Sequence, residues 1–348
     1  MAVYWVLFFL PLFGVLFFRA MSNDADKFIW GLVFFIFTLV VGLRYQIGAD
    51  WFSYSYHFEL ARADSLFEVL SDGDPGYYFI NWIFSHSGGN VYLVNLVCAA
   101  FLILGVVVFS RNQAMPWLCF LVAVPYVIIV VGMGYTRQAA ALGFLLLGLV
   151  ALTKKRPRAF IIWALIAATF HKSAVLMLPV AALAATERRV WSVIWVGVIA
   201  LAGAYFFVLD HIDKLWDNYI TSENYDSQGG LIRVLMNVVP ALLFLAFRSR
   251  LRLSEADRRL WSWMALFALL CVPLVLISST ATDRVALYLI PLQLFLFSRL
   301  HLIAQEPVLR STIVLGVVLY YGAVQLVWLL FASHTSAWLP YQMVGFSS

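Results

Sequence analysis

Four basic side chains of this 348-residue chain stand at the ends of apolar runs rather than in polar stretches: Arg44, Arg137, His171 and Arg284. Arg44 opens the segment Arg44-x-x-x-Gly48-x-Asp50-x-x-x-Tyr54. Arg137 follows Gly132-Met133-Gly134-Tyr135-Thr136 and precedes Gln138, a second polar group for the same place. His171 lies in Thr169-Phe170-His171-Lys172-Ser173, where Lys172 adds positive potential. Arg284 follows Asp283 and shares a helix face with Tyr288, four residues on. A guanidinium is a planar fork that clamps phosphate oxygens in pairs. An imidazole exchanges a proton near neutral pH. Basic groups of this kind suit an anionic ligand, a phosphate or diphosphate lipid head above all.

Each residue also has a plainer reading. Arg137 could snorkel to an interface, His171 could cap two helix ends, and tyrosines collect at membrane surfaces anyway. Asp283 reads best as a helix cap. Arg137 carries the most weight: a charge inside an apolar run is costly and needs a carboxylate or an anionic ligand to offset it. Asp50 and Asp283 are its candidate internal partners.

The elements that hold these residues follow from composition. Hydrophobic residues make up 64% of the chain and charged residues 12%, against about 25% charged in a soluble domain. That excludes a soluble enzyme and a disordered chain, and predicts an all-α, polytopic integral membrane protein forming a single transmembrane domain over 1–348. The three cysteines, Cys98, Cys119 and Cys271, sit in apolar runs and form no metal or disulfide pattern. No nucleotide-binding loop is present, and no metal or other cofactor is expected. The net charge of +5 comes from loop residues that set topology and implies no nucleic-acid partner.

Spans of about 20 apolar residues are expected at 2–19, 28–43, 91–110, 115–132, 134–152, 159–171, 173–186, 190–208, 231–248, 261–278, 285–300 and 311–332. The first is read as a retained span. Basic clusters at 154–158 and 248–259 place those loops in the cytoplasm. The stretch 44–90 and the acidic stretch 209–230 then face outward, as do both termini in a twelve-span chain. The four basic groups converge on that outer side. The 44–90 connection is too long for a simple linker. It contains Asp74-Pro75-Gly76-Tyr77-Tyr78, a turn, and an aromatic segment at 77–84 expected to lie along or re-enter the interface.

At these residues the chain resembles the EpsG family of bacterial polysaccharide polymerases, related to the Wzy-type O-antigen, capsule and exopolysaccharide polymerases. The resemblance is carried by Arg44-x-x-x-Gly48-x-Asp50-x-x-x-Tyr54 and by Asp74-Pro75-Gly76-Tyr77, where the family often has Glu first. It continues in Arg137-Gln138, Phe170-His171-Lys172-Ser173-Ala174, and Asp283-Arg284 with Tyr288. It implies a multi-span fold resembling the GT-C-type glycosyltransferases that use lipid-linked sugars, in keeping with the about twelve transmembrane helices read from hydropathy. It also implies a site on the outer face of the bacterial inner membrane. There a growing glycan passes from undecaprenyl diphosphate to the non-reducing end of the next undecaprenyl-diphosphate-linked repeat unit. Donor, acceptor and membrane lipids are the implied partners, with a chain-length regulator and a flippase beside them.

Under that reading Arg137 and Arg284 stabilise the departing diphosphate, with Arg44 as a third. Asp50 and His171 are alternative bases for the acceptor hydroxyl. Tyr54, Tyr77 and Tyr288 would stack on sugar rings or bond to their hydroxyls, and Asp74, Gln138, Lys172 and Asp283 would line the substrate. Competing readings are a flippase for lipid-linked oligosaccharide, a glycan ligase or O-acetyltransferase, and a non-catalytic assembly component. A transporter should carry polar residues through the middle of several spans. Here the charges stand at span ends.

Overall fold

The structure, a computed structural model, describes residues 1–18, 23–71, 73–184, 194, 197–198, 230–276 and 279–345. All of its regular elements among the described residues are helices. Seven of them are long and apolar enough to cross a membrane: α2 (Asn23–Gly42), α6 (Val91–Arg111), α7 (Pro116–Gly134), α8 (Thr136–Thr153), α11 (Gly230–Phe247), α12 (Glu255–Val275) and α15 (Pro307–Phe331). Two shorter apolar helices join them, α1 (Ala2–Phe17) and α9 (Pro157–Phe170). The protein is therefore an all-helical, multi-pass membrane protein.

The twelve expected spans fare differently. Nine coincide with these helices. The expected span 285–300 is not one helix: α13 (Ser279–Leu287) ends in tight turns at 288–290, and α14 (Pro291–Phe297) restarts at Pro291. Proline at the first helical position lacks the N–H that a continuous helix would need there. Residues 286–297 are all buried, so protein rather than lipid shields the broken backbone. The expected span 173–186 splits into a tight helical turn at Lys172–Met177 and the seven-residue α10 (Leu178–Ala184), too short to cross alone. Nearly all of the expected span 190–208 and of the acidic 209–230 loop lies outside the described residues.

The stretch 44–90, long as a connection, is folded into three helices: α3 (Trp51–Leu60), α4 (Leu66–Ser71) and α5 (Pro75–His86). Each is too short to span. Local sequence starts the helices. Asn90 caps α6 by accepting from the backbone N–H groups of Tyr92 (3.1 Å) and Leu93 (3.3 Å). Ser254 caps α12 from Asp257 N (3.1 Å), with Glu255 and Asp257 in the first turn to match the helix dipole.

The chain divides into two compact units. The first comprises 1–144, 169–171 and 312–348. Its centre is α7, buried from Trp117 to Gly134. Pro125 interrupts the ordinary helical bonding there, and the backbone runs in wide i→i+5 turns over Val124–Val131. The helix ends at Gly134, Tyr135 leaves helical geometry, and α8 begins at Thr136. The second unit comprises 145–168 and 172–311. It is tied together by Asn237, whose side-chain nitrogen donates to the Ala286 carbonyl (2.7 Å) and whose side-chain oxygen accepts from Gln293 Nε2 (2.7 Å).

Candidate functional site

The site forms where α8 begins, at the break after α7. Arg44 lies beyond the end of α2, its side chain 1% exposed. Its Nη1 donates to the Val41 carbonyl (2.8 Å) and its Nε to the Ile47 carbonyl (3.2 Å). Both bonds serve the chain as it leaves the helix, where the last carbonyls lack intrahelical partners and a cation is favoured. Its Nη2 reaches across to Thr136 Oγ1 (2.7 Å), and that hydroxyl donates to Asn95 Oδ1 (3.3 Å). Arg44 thus fixes the residue just before Arg137. Burial lowers its pKa to about 10, so it stays charged at working pH. Gly48 completes this seam. It has φ +108°, and a Cβ there would strike the Met133 carbonyl.

Arg137 itself occupies the first turn of α8. Its Nη1 donates to Asp74 Oδ2 (3.0 Å), an ion pair in which the Arg137 side chain is 27% exposed and the Asp74 side chain 7%. The internal partner of Arg137 is therefore Asp74, in place of the expected Asp50 or Asp283. Asp74 precedes Pro75 at the start of α5 and makes no side-chain cap to that helix. The guanidinium carbon also stands 5.9 Å from the ring centre of Tyr77, a cation–π contact. Tyr77 meets Tyr54 edge-on at 5.8 Å and Tyr78 at 5.7 Å. Tyr78 in turn lies 5.4 Å from the His57 ring, with its hydroxyl 3.3 Å from His57 Nδ1. Burial raises the pKa of both Tyr54, to about 12, and Tyr77, while the Arg137 charge opposes the shift. Both are neutral phenols at working pH.

Gly76 seats the turn that carries Asp74, since a Cβ there would meet Thr169 and Phe170. Phe170 packs on Phe144 (5.3 Å) and Phe101 (5.6 Å), and His171 follows it, 7% exposed. Gln138 is equally buried, and its side-chain nitrogen has no acceptor among the described residues. Asp50 is half-buried at the start of α3, and its charge is felt at Tyr54.

The second unit holds the remaining sequence candidates. Asp283 lies inside α13, not at its start, and pairs with Arg233 (2.5 Å). It is an ion-pair partner rather than the expected cap. Arg284 follows it, half-buried. Tyr288 is 1% exposed in the turn after α13, with its hydroxyl 3.5 Å from Ser173 Oγ, next to Lys172. Asn95, Thr136 and Arg233 were not singled out by sequence. Asn95 had a signal, a lone amide in the run Val91–Phe101. Among the described residues, no group of three or more His, Cys, Asp or Glu side chains could hold a metal ion.

The model of the EpsG family matches the chain over residues 27–343. No curated protein and no solved structure matches it.

Proposed function

The chain belongs to the EpsG family, and from that membership we propose that it polymerises lipid-linked oligosaccharide at the Arg137 site. Family membership and the multi-pass helical build support a role in polysaccharide polymerisation in general. The finer reading concerns substrate and chemistry. A growing glycan on undecaprenyl diphosphate is the donor, the non-reducing end of the next lipid-linked repeat unit is the acceptor, and transfer takes place on the outer face of the inner membrane. A count of about twelve crossings belongs to the same reading.

One observation carries it. Arg137 is a partly exposed guanidinium held by a buried carboxylate and walled by buried tyrosines, while Arg44 spends its own donors on the protein. The exposed edge of Arg137 is therefore the one suited to a diphosphate. The acceptor hydroxyl attacks the anomeric carbon. The bond from that carbon to the diphosphate oxygen breaks, and the lipid diphosphate leaves with the bonding electrons. Arg137 stabilises the charge that develops there. The hydroxyl proton passes to Asp50 or His171. Tyr54 and Tyr77, as neutral phenols, offer rings and hydroxyls to sugars rather than acting as bases. The buried Gln138 nitrogen is a donor for a sugar or phosphate oxygen, since buried donors are normally paired. Arg44 acts through Thr136 as the brace behind Arg137.

The test is reconstitution of the purified protein with undecaprenyl-diphosphate-linked repeat units. The expected result is a ladder of polymer with release of undecaprenyl diphosphate. Movement of the lipid-linked sugar across the bilayer without a new glycosidic bond would favour the flippase reading.

A further inference from the structure

The last described residues do not trail away from the bundle. They run as a strap beside the Arg44–Gly48 segment and are bonded along its length. Tyr45 N donates to the Gln342 carbonyl, Val344 N to the Leu43 carbonyl and Gly48 N to the Ala337 carbonyl, each at 2.9 Å. Arg44 and Met343 pair as two short antiparallel strands would. Trp338 anchors the strap, 2% exposed. Its indole N–H donates to the Ile129 carbonyl (3.2 Å), inside the wide-turn stretch of α7. Its own carbonyl accepts from the Tyr4 hydroxyl of α1 (2.6 Å), and its ring lies edge-on to Trp328 of α15 at 5.0 Å. The outer ring of the indole fills the space beside Gly134: a Cβ on Gly134 would lie 2.6 Å from Trp338 Cζ2.

The strap therefore touches both supports of Arg137. One is the end of α7 at Gly134, three residues before Arg137. The other is Arg44, whose guanidinium holds Thr136. Wide helical turns and the interruption of helical geometry at Tyr135 leave this junction between α7 and α8 without continuous helical bonding. The indole, wedged against Gly134 and bonded to Ile129, braces it from outside.

We propose that Trp338 is a positioning residue: through the Gly134–Thr136 junction it sets the aim of the Arg137 guanidinium for catalysis. The proposal rests on the reading of Arg137 as the diphosphate contact. It predicts a specific coupling between two residues 204 positions apart. Gly134→Ala pushes the new methyl into the indole, so the junction must shift. Trp338→Phe removes the outer ring and makes room for that methyl. Misplacement of a catalytic group by about 1 Å can cost about 100-fold in rate.

The experiment measures polymer formation per unit of folded, membrane-extracted protein for Gly134→Ala, Trp338→Ala, Trp338→Phe and the pair Gly134→Ala with Trp338→Phe, with Arg137→Lys assayed in parallel. Gly134→Ala and Trp338→Ala are expected to lower kcat about 10- to 100-fold with KM for the lipid-linked unit little changed. The double variant is expected to recover most of what Gly134→Ala loses. Normal kcat in Gly134→Ala and Trp338→Ala would overturn the proposal, as would losses in the double variant that simply multiply. A normal rate for Arg137→Lys would instead overturn the reading of Arg137 and the proposal with it. A slow Arg137→Lys beside fully active strap variants would remove Trp338 alone.

Discussion

Arg137 Nη1 lies 3.0 Å from Asp74 Oδ2, joining the first turn of α8 to the residue before α5 across 63 positions of sequence. The pair answers the question that a lone arginine in an apolar run poses, namely what offsets its charge. It also divides the two arginines of this region by role. Arg44 is buried and bonded to carbonyls and a hydroxyl, whereas Arg137 is tied by one nitrogen and partly exposed.

Arg44 should therefore matter to folding. Arg44→Ala removes charge-assisted bonds to Val41, Ile47 and Thr136 and leaves those acceptors buried, at a cost on the order of 3 kcal/mol. Thermal unfolding of the detergent-extracted variant should show a clearly lowered midpoint. An unchanged midpoint would return Arg44 to the list of ligand contacts.

How the chain revealed these roles differs from residue to residue. Arg137 was legible because a permanent charge in an apolar stretch is conspicuous. Its partner was not, because Asp74 sits in a remote turn and nothing local marks the pairing. Arg44 showed its charge but not its acceptors, since backbone carbonyls leave no mark in a sequence. Hydropathy located the long helices well. It missed the break at 288–290, where an unbroken apolar run hides tight turns, although Pro291 was the available signal. Trp338 carried no mark in the sequence, because its slot beside Gly134 exists only once the chain has folded.

In the second unit, Asn237 should act as a structural clamp. Asn237→Leu gives up two buried bonds, to the Ala286 carbonyl and from Gln293 Nε2. The expected cost is about 1–3 kcal/mol, read as a lowered unfolding midpoint. A midpoint equal to that of the parent protein would mean that the broken helix holds itself.

Tyr54 gives a pH signature. Burial raises its pKa from the ordinary phenol value of 10.0 to about 12 in the folded protein. Between those values the unfolded chain has released a proton that the folded chain still holds. Stability must then fall as pH rises above 10, on the order of 1 kcal/mol per pH unit. Tyr54→Phe lacks this contribution, so its stability should decline less than that of the parent between pH 10 and 11. Parallel declines would show that Tyr54 titrates as an ordinary exposed phenol.

Sidedness can be read with thiol labelling, since the native Cys98, Cys119 and Cys271 are all buried. Three spanning helices, α6, α7 and α8, separate position 63 from position 155. Cysteines at Ala63→Cys and Lys155→Cys should therefore react from opposite sides, with Ala63→Cys open to an impermeant reagent in whole cells. Labelling of both from the same side would break the proposed outward placement of the site.

The central claim is that Arg137 contacts the leaving diphosphate, and the Asp74 pair supplies the control that isolates it. Arg137→Ala alone would remove one member of a largely buried ion pair, which destabilises proteins by about 3–5 kcal/mol, so a loss of activity there would be ambiguous. The decisive set is Arg137→Lys and the double variant Arg137→Ala with Asp74→Ala, each assayed as polymer formed per milligram of folded protein. Lysine keeps the charge and loses the planar fork; the double variant removes both charges together. Both are expected to extract and purify as folded protein, and both to lose about 10²–10³ in rate. Near-normal polymerisation by either one would show that the Arg137–Asp74 pair only holds the fold.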